Sequence, residues 1–246
     1  MMALDERCQG SQEIVELSMP DNMKESAFQL DENYMIELTW QNAEKARRCI
    51  QQDTRYKTSA DREYYASKGK RLSAYTPSEW ETVIGLISTA NSTRSPKASI
   101  RALAEYTYHN RDAFLQKLAN GDISVVDDLT KANTPRREDS LISKICAYLC
   151  EYDFHEFHFV INDNVVRRIL PYYLCYYKVD ESLWKKHGRI KKLDNAPYSD
   201  IHAMIKGIQQ SLSETLSLRD IDHILWYCYK NDAVRVAIAN ALVTKG

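Results

Sequence analysis

Ser140-Leu-Ile-Ser-Lys-Ile-Cys-Ala-Tyr-Leu-Cys150 and, after residues 151–158, Phe159-Val-Ile-Asn-Asp-Asn-Val-Val-Arg-Arg-Ile-Leu170 are the two runs from which the fold of this chain is read. In the first, Leu141, Ile142, Ile145, Cys146 and Leu149 recur at helical spacing and make one apolar stripe. In the second, Val165, Val166, Ile169 and Leu170, continued by Tyr173 and Tyr177, make another stripe behind Asp163, a residue type favoured as a helix N-cap. The spacing predicts two helices joined by a short loop, with only the part around Phe157 to Ile161 extended.

The same punctuation extends in both directions. Thr76-Pro77-Ser78-Glu79 offers an N-cap, a proline at the first helical position and a capping-box acid, and Trp80, Val83, Ile84 and Ile87 follow on one face, which predicts a helix over 77–90. Ile100, Leu103 and Ala104 open another, and Asn110 is the expected N-cap of a third that carries Phe114, Leu115 and Leu118 and stops at Asn120-Gly121. Ser217 to Asp220 caps a face of Leu218, Ile221, Ile224, Leu225 and Cys228, and Val234, Ile238 and Leu242 mark a last helix. Residues 91–97 and 185–198 read as loops. The expected architecture is all-α: an acidic N-terminal arm over 1–32 and a single globular helical domain over 33–246, in one lobe or two.

Composition narrows the function classes. Seven glycines and six prolines in 246 residues leave little for tight hairpins or Gly-rich phosphate loops, which argues against Rossmann and P-loop chemistry. No apolar run approaches the ~18 residues of a membrane span, so no membrane partner is expected. The start, with Asp5 and Glu6, lacks a basic region followed by an apolar one, from which a cytoplasmic location is expected. The six cysteines form no CxxC pair and read as reduced, mostly buried thiols. His155 and His158 lack a third ligand, and no nucleophile-elbow motif is present, so neither a metal site nor a serine hydrolase is expected.

The net charge of −1 conceals an asymmetry: residues 1–32 carry −6 and residues 33–246 carry +5. Such an arm either lies across a cationic cleft or is solvated. The bases cluster as well. Lys185, Lys186, Arg189, Lys191 and Lys192 follow Trp184, and residues 43–72 hold nine bases against four acids, both readable as phosphate contacts or as solvated faces.

In the two quoted runs the chain resembles the helix-hairpin-helix DNA glycosylases, most closely the 8-oxoguanine glycosylase branch. In that family a lysine early in one helix precedes, by about 19 residues, an aspartate that opens the next, with an arginine about a turn further on. Here Lys144 and Asp163 are 19 apart and Arg168 follows Asp163 by five. The family's glycine-rich hairpin before the lysine is replaced by Asn133-Thr-Pro-Arg-Arg-Glu-Asp139, which holds no glycine, so that hairpin must be altered. Asp220 to Tyr227 is similar to the closing helix of some glycosylase-fold proteins. The iron–sulfur cluster of some members would need four late cysteines, whereas only Cys228 lies beyond Cys175.

The resemblance implies excision of a modified or damaged DNA base by flipping it into a pocket, with no metal or organic cofactor. Lys144 would be the nucleophile that forms a Schiff base, giving AP-lyase activity, and Asp163 the carboxylate that stabilises charge at the sugar or activates water. Arg136 and Arg137 fall where the family's hairpin meets the DNA backbone, and Arg168 is a further DNA contact. Phe154, Tyr172, Tyr173, Trp184 and Trp226 could stack on a base, although the placement of Tyr173 and Trp226 suits a core. A wheel at 100° per residue places Lys144 about 130° from the centre of its stripe, away from the core and toward a cleft or water. Two other readings stay open: a catalytically silent nucleic-acid-binding module, and a helical protein-interaction scaffold without a nucleic-acid role.

Overall fold

Capping chemistry sets where the helices begin. Thr76 and Glu79 form a reciprocal capping box ahead of Pro77, Ser217 and Asp220 form a second, and the Asp163 carboxylate accepts from the amides of Val165 and Val166 at 2.9 and 3.1 Å. The computed structural model describes residues 28–52, 70–91, 93–132, 138–184, 193 and 196–245. Within them it holds ten α-helices: α1 (Trp40–Gln52), α2 (Pro77–Ala90), α3 (Lys97–His109), α4 (Arg111–Ala119), α5 (Ser124–Ala132), α6 (Asp139–Phe154), α7 (Asn164–Tyr176), α8 (Tyr198–Ser211), α9 (Leu218–His223) and α10 (Ala233–Lys245). Short 3-10 turns lie at Leu72–Ala74 and Glu181–Leu183, and a π turn, Ile224–Cys228, continues α9. There is no strand among the described residues, only an isolated antiparallel bridge between Leu30 and Ile36. The protein is all-α around one core that runs from Met35 to Val243. No helix among the described residues is long and apolar enough to cross a membrane.

One expected cap differs. The Asn110 side chain does not cap α4 but donates to the carbonyl of Tyr106 at 2.9 Å, so it closes α3 instead. Gly121 ends α4 in the left-handed region, at φ 65°.

Helix α6 is buried on every side from Leu141 to Cys150. Helices α2, α4 and α5 take three of its sides. The remaining side, marked by Ser143, Lys144, Ala147 and Cys150, is covered by the chain as it returns from the C-terminus of α6 to the start of α7. Pairing of Cys150 with the backbone of His158 and of Ser143 with Asn162 fixes that path. Seven helical residues rise about 10.5 Å and four extended residues reach at most about 13–14 Å, so four extended residues suffice to cover the rise. The wheel reading that turned Lys144 away from the core is therefore corrected. An apolar stripe locates a helix's most apolar side, but another segment can bury the side opposite.

The returning residues 159–163 are buried without a strand partner among the described residues. Their backbone groups are met by side chains: the Tyr198 hydroxyl accepts from Val160 N–H at 3.1 Å, an Asp222 oxygen from Ile161 N–H at 3.0 Å, and the Ser143 hydroxyl from Asn162 N–H at 3.0 Å. An unmade bond at any of these positions would cost the desolvation of a buried amide.

The last residues of the acidic arm, 28–32, belong to the fold; tyrosine hydroxyls and Asn42 hold them and the residues that follow, together with Arg235, whose Nε donates to the Tyr34 carbonyl at 3.2 Å, and Lys45, which lies over the Phe28 ring. The Tyr172 hydroxyl donates to Asp31 at 2.7 Å and that of Tyr176 to Glu32 at 2.9 Å. Tyr229 accepts from the Ile36 amide at 2.9 Å, Tyr173 donates to the Ile36 carbonyl at 2.6 Å, and the two hydroxyls meet at 2.5 Å. Asn42 of α1, fully buried, accepts from the Gln29 amide and donates to the carbonyls of Gln29 and Glu37, all at 2.8 Å. Residues 1–27 lie outside the described residues.

Tyr229→Phe removes the acceptor for Ile36 N–H, and the expected loss is about 1–3 kcal/mol in urea unfolding. Tyr34→Phe, at an exposed ring, is expected to stay within about 0.5 kcal/mol. Equal stabilities for the two variants would refute the hydroxyl account.

Glycine substitutions should have opposite signs at two positions. At Gly121 the left-handed backbone and a Cβ placed 2.8 Å from the His158 ring should cost Gly121→Ala more than about 1 kcal/mol. Gly85→Ala inside α2 meets nothing within 4 Å and should gain about 0.5–1 kcal/mol. Paired thermal melts read both.

Candidate active site at the start of helices α6 and α7

Lys144 lies in the second turn of α6, and Asp163 is the N-cap of α7. Because the return segment brings the start of α7 back beside the start of α6, the Lys144 ammonium reaches Asp163 Oδ2 at 3.3 Å and also donates to Ser140 Oγ, one turn earlier, at 2.9 Å. Their side chains are 3% and 11% exposed. The other Asp163 oxygen is committed to the two α7 amides, so the carboxylate has fixed both its position and the oxygen it presents to the lysine.

Several polar residues surround the pair. Ser143 Oγ receives the Asn162 amide, and Asn162 Oδ1 accepts from Arg167 Nε at 2.8 Å. Arg167 in turn reaches Asp139, in the first turn of α6, at 3.2 Å. The start of α6 is thus tied to the start of α7 by two ion pairs and one hydroxyl-to-amide bond. Asp139 and Ser140 are partly exposed and Asn164 is exposed, so the pair lies just inside the surface.

Behind the return segment a second ionic group sits deeper. Arg219 pairs with Glu151 at 3.2 Å and with Asp222, and its guanidinium lies 4.9 Å from the centre of the Tyr148 ring. Asp222 uses its other oxygen on Ile161 N–H. Burial pushes the Asp222 carboxyl up to about 6, against the pull of Arg219 and the Ile161 amide.

Lys144 and Asp163 are thus in contact. Arg168 is exposed on α7, whereas its neighbour Arg167 enters the cluster. Arg136, Arg137, Lys185, Lys186, Arg189, Lys191 and Lys192 lie outside the described residues. Tyr172, Tyr173, Trp184 and Trp226 are buried in the core and Phe154 packs at its edge, so none presents an open stacking face. Cys146 and Cys150 are core thiols, and burial pushes Cys150 up to about 11, which keeps it protonated. His158 pairs with Glu156 rather than with His155, and no group of three potential metal ligands occurs among the described residues.

Sequence reasoning missed Ser140, Ser143, Asn162, Arg167 and Asp139. Ser140 was available from the i, i+4 spacing to Lys144, and Asp139 from its place in the first turn of a helix. Asn162 and Arg167 carried no local signal, because their roles depend on how two helix starts are set side by side. No known protein family, curated protein or solved structure matches this chain.

Asp222 gives this region a defined pH response. A folded carboxyl raised above its unfolded value contributes stability that is complete below about pH 4 and is lost as pH rises through about 6. The stability of the wild type relative to Asp222→Asn should therefore fall between pH 4 and 7. Urea midpoints at both pH values check this, and parallel pH dependences would refute it.

Proposed function

We propose that this chain is a DNA base-excising enzyme of helix-hairpin-helix glycosylase kind, with Lys144 and Asp163 as its reacting pair. The observation that carries the reading is the 3.3 Å contact between them, made across two helix starts by residues at the family's spacing. A buried ion pair is a weak source of stability compared with apolar residues of similar volume, so its presence asks for a chemical reason.

The chemistry needs little else. As the bond from C1′ to the base breaks, the base leaves with the electron pair and positive charge builds at C1′ and the ring oxygen, where the Asp163 carboxylate lowers its energy. Asp163 Oδ2, already the partner of the ammonium, is placed to take its proton, after which the Lys144 amine forms the bond to C1′. The proton held by Asp163 passes to the departing base; Asp163 then takes a second proton from the alkylated nitrogen and delivers it to the ring oxygen as the sugar ring opens, which leaves the protonated Schiff base. The exposed Arg168 would hold the DNA backbone nearby.

One observation favours a second reading. With a side chain only 3% exposed, Lys144 also serves as a tie between α6 and α7, and a nucleic-acid-binding module without chemistry would keep that tie.

Borohydride trapping on duplex DNA containing an abasic site or 8-oxoguanine separates the two. The expected result is a covalent adduct with the wild type and none with Lys144→Gln. Asp163→Asn keeps an equally good N-cap and should lower the adduct rate by about 10²-fold or more. Lys144→Gln alone leaves Asp163 buried without its cation, so the double variant with Asp163→Asn serves as the folded control. No adduct on either substrate, together with DNA affinity that is weak and indifferent to salt, would overturn the enzyme reading and leave a helical interaction protein.

A further inference from the structure

The amide of Asn162 stands out among the buried polar groups of the cluster. Its residue is 1% exposed, and its Nδ2 has no hydrogen-bond partner among the described residues. Reassigning the amide does not remove the problem. Oδ1 accepts from Arg167 Nε, which can only donate, so exchanging oxygen and nitrogen would set two donors against each other. Nor can the residue turn easily, since its backbone amide is fixed on Ser143 and the next residue is the α7 cap.

Asn42 provides the contrast of a buried asparagine with a purely structural role, in which the oxygen and the nitrogen are both bonded to backbone. Asn162 is instead bonded on its oxygen side alone. A buried donor left in that state costs free energy, and it adjoins in sequence the carboxylate proposed to act on the sugar.

Resting on the glycosylase reading above, we propose that Asn162 Nδ2 is a substrate contact, donating to a phosphodiester oxygen of the extruded nucleotide while Lys144 and Asp163 bracket its C1′. A phosphate oxygen is the acceptor that remains beside that sugar whatever base it carries. The first turn of α6, without a side-chain cap, and the Arg167 guanidinium, which meets Asp139 there, put N–H donors in the same cluster, suited to a phosphate oxygen. The contact would select for a nucleotide within a strand over a free nucleoside, and would be indifferent to base identity.

Asn162→Asp tests this directly. It preserves the oxygen that Arg167 uses and replaces the donor by a negatively charged acceptor. The expected result is a folded protein, and binding of duplex DNA carrying a tetrahydrofuran abasic analogue weakened tenfold or more. The trapping yield on a true abasic site should fall with it, and Asn162→Gln should restore part of the binding. Wild-type DNA binding and trapping with Asn162→Asp unaffected would overturn the contact alone and mark Nδ2 as satisfied by an ordered water. Failure of the wild type itself to bind or trap would overturn the glycosylase reading, and this assignment with it.

Discussion

Residues 159–163 cross the interior with no helix or strand partner for their backbone among the described residues, and much of the surrounding structure answers that need. Tyr198 from α8, Asp222 from α9 and Ser143 from α6 each supply a side-chain partner to consecutive amides of this segment. In a sheet the two flanking strands would have met them. Here three helices must be placed correctly at once, so the packing of α6, α8 and α9 and the path of the return segment define one another.

The same constraint generates the candidate site. An extended return of this length brings the start of α7 to the level of the second turn of α6, which is what sets Asp163 against Lys144. Their contact is a consequence of chain geometry as much as of electrostatic attraction. The burial of Arg219 and Asp222 behind the segment then holds it from the other side. Each charge in that deeper group has an opposite neighbour, so the low-dielectric interior strengthens the links it would otherwise forbid.

The N-terminal region shows a different solution to a similar problem. In an irregular, acidic stretch the carboxylates of Asp31 and Glu32 are met by tyrosine hydroxyls. Tyr172, Tyr173 and Tyr176 on α7 and Tyr229 after the π turn combine large buried rings with a hydroxyl at the tip, so they fill the core and meet backbone or carboxylate groups together. Burial raises the Asp31 carboxyl even so, because the tyrosine and amide donors only partly replace water. Tyr172 and Tyr173, named in the sequence as residues that could stack on a base, are committed to this seam.

Helix starts and the apolar sides of α2, α6, α7 and α9 were legible from the chain alone because caps and 3.6-residue periodicity are local properties. So was the separation of Lys144 from Asp163, a matter of counting. Helix α1 was not legible, since its buried side is Asn42, Ala43, Ala46 and Ile50, too small and polar to register as a stripe. The depth of Lys144, the entry of Arg167 in place of Arg168 and the one-sided bonding of Asn162 were beyond local reading for a common reason. Each is decided by which segment lies against the far side of a helix, and that choice is made by long-range packing between residues such as Ser143 and Asn162, whose partners sit nineteen positions apart and leave no periodic trace.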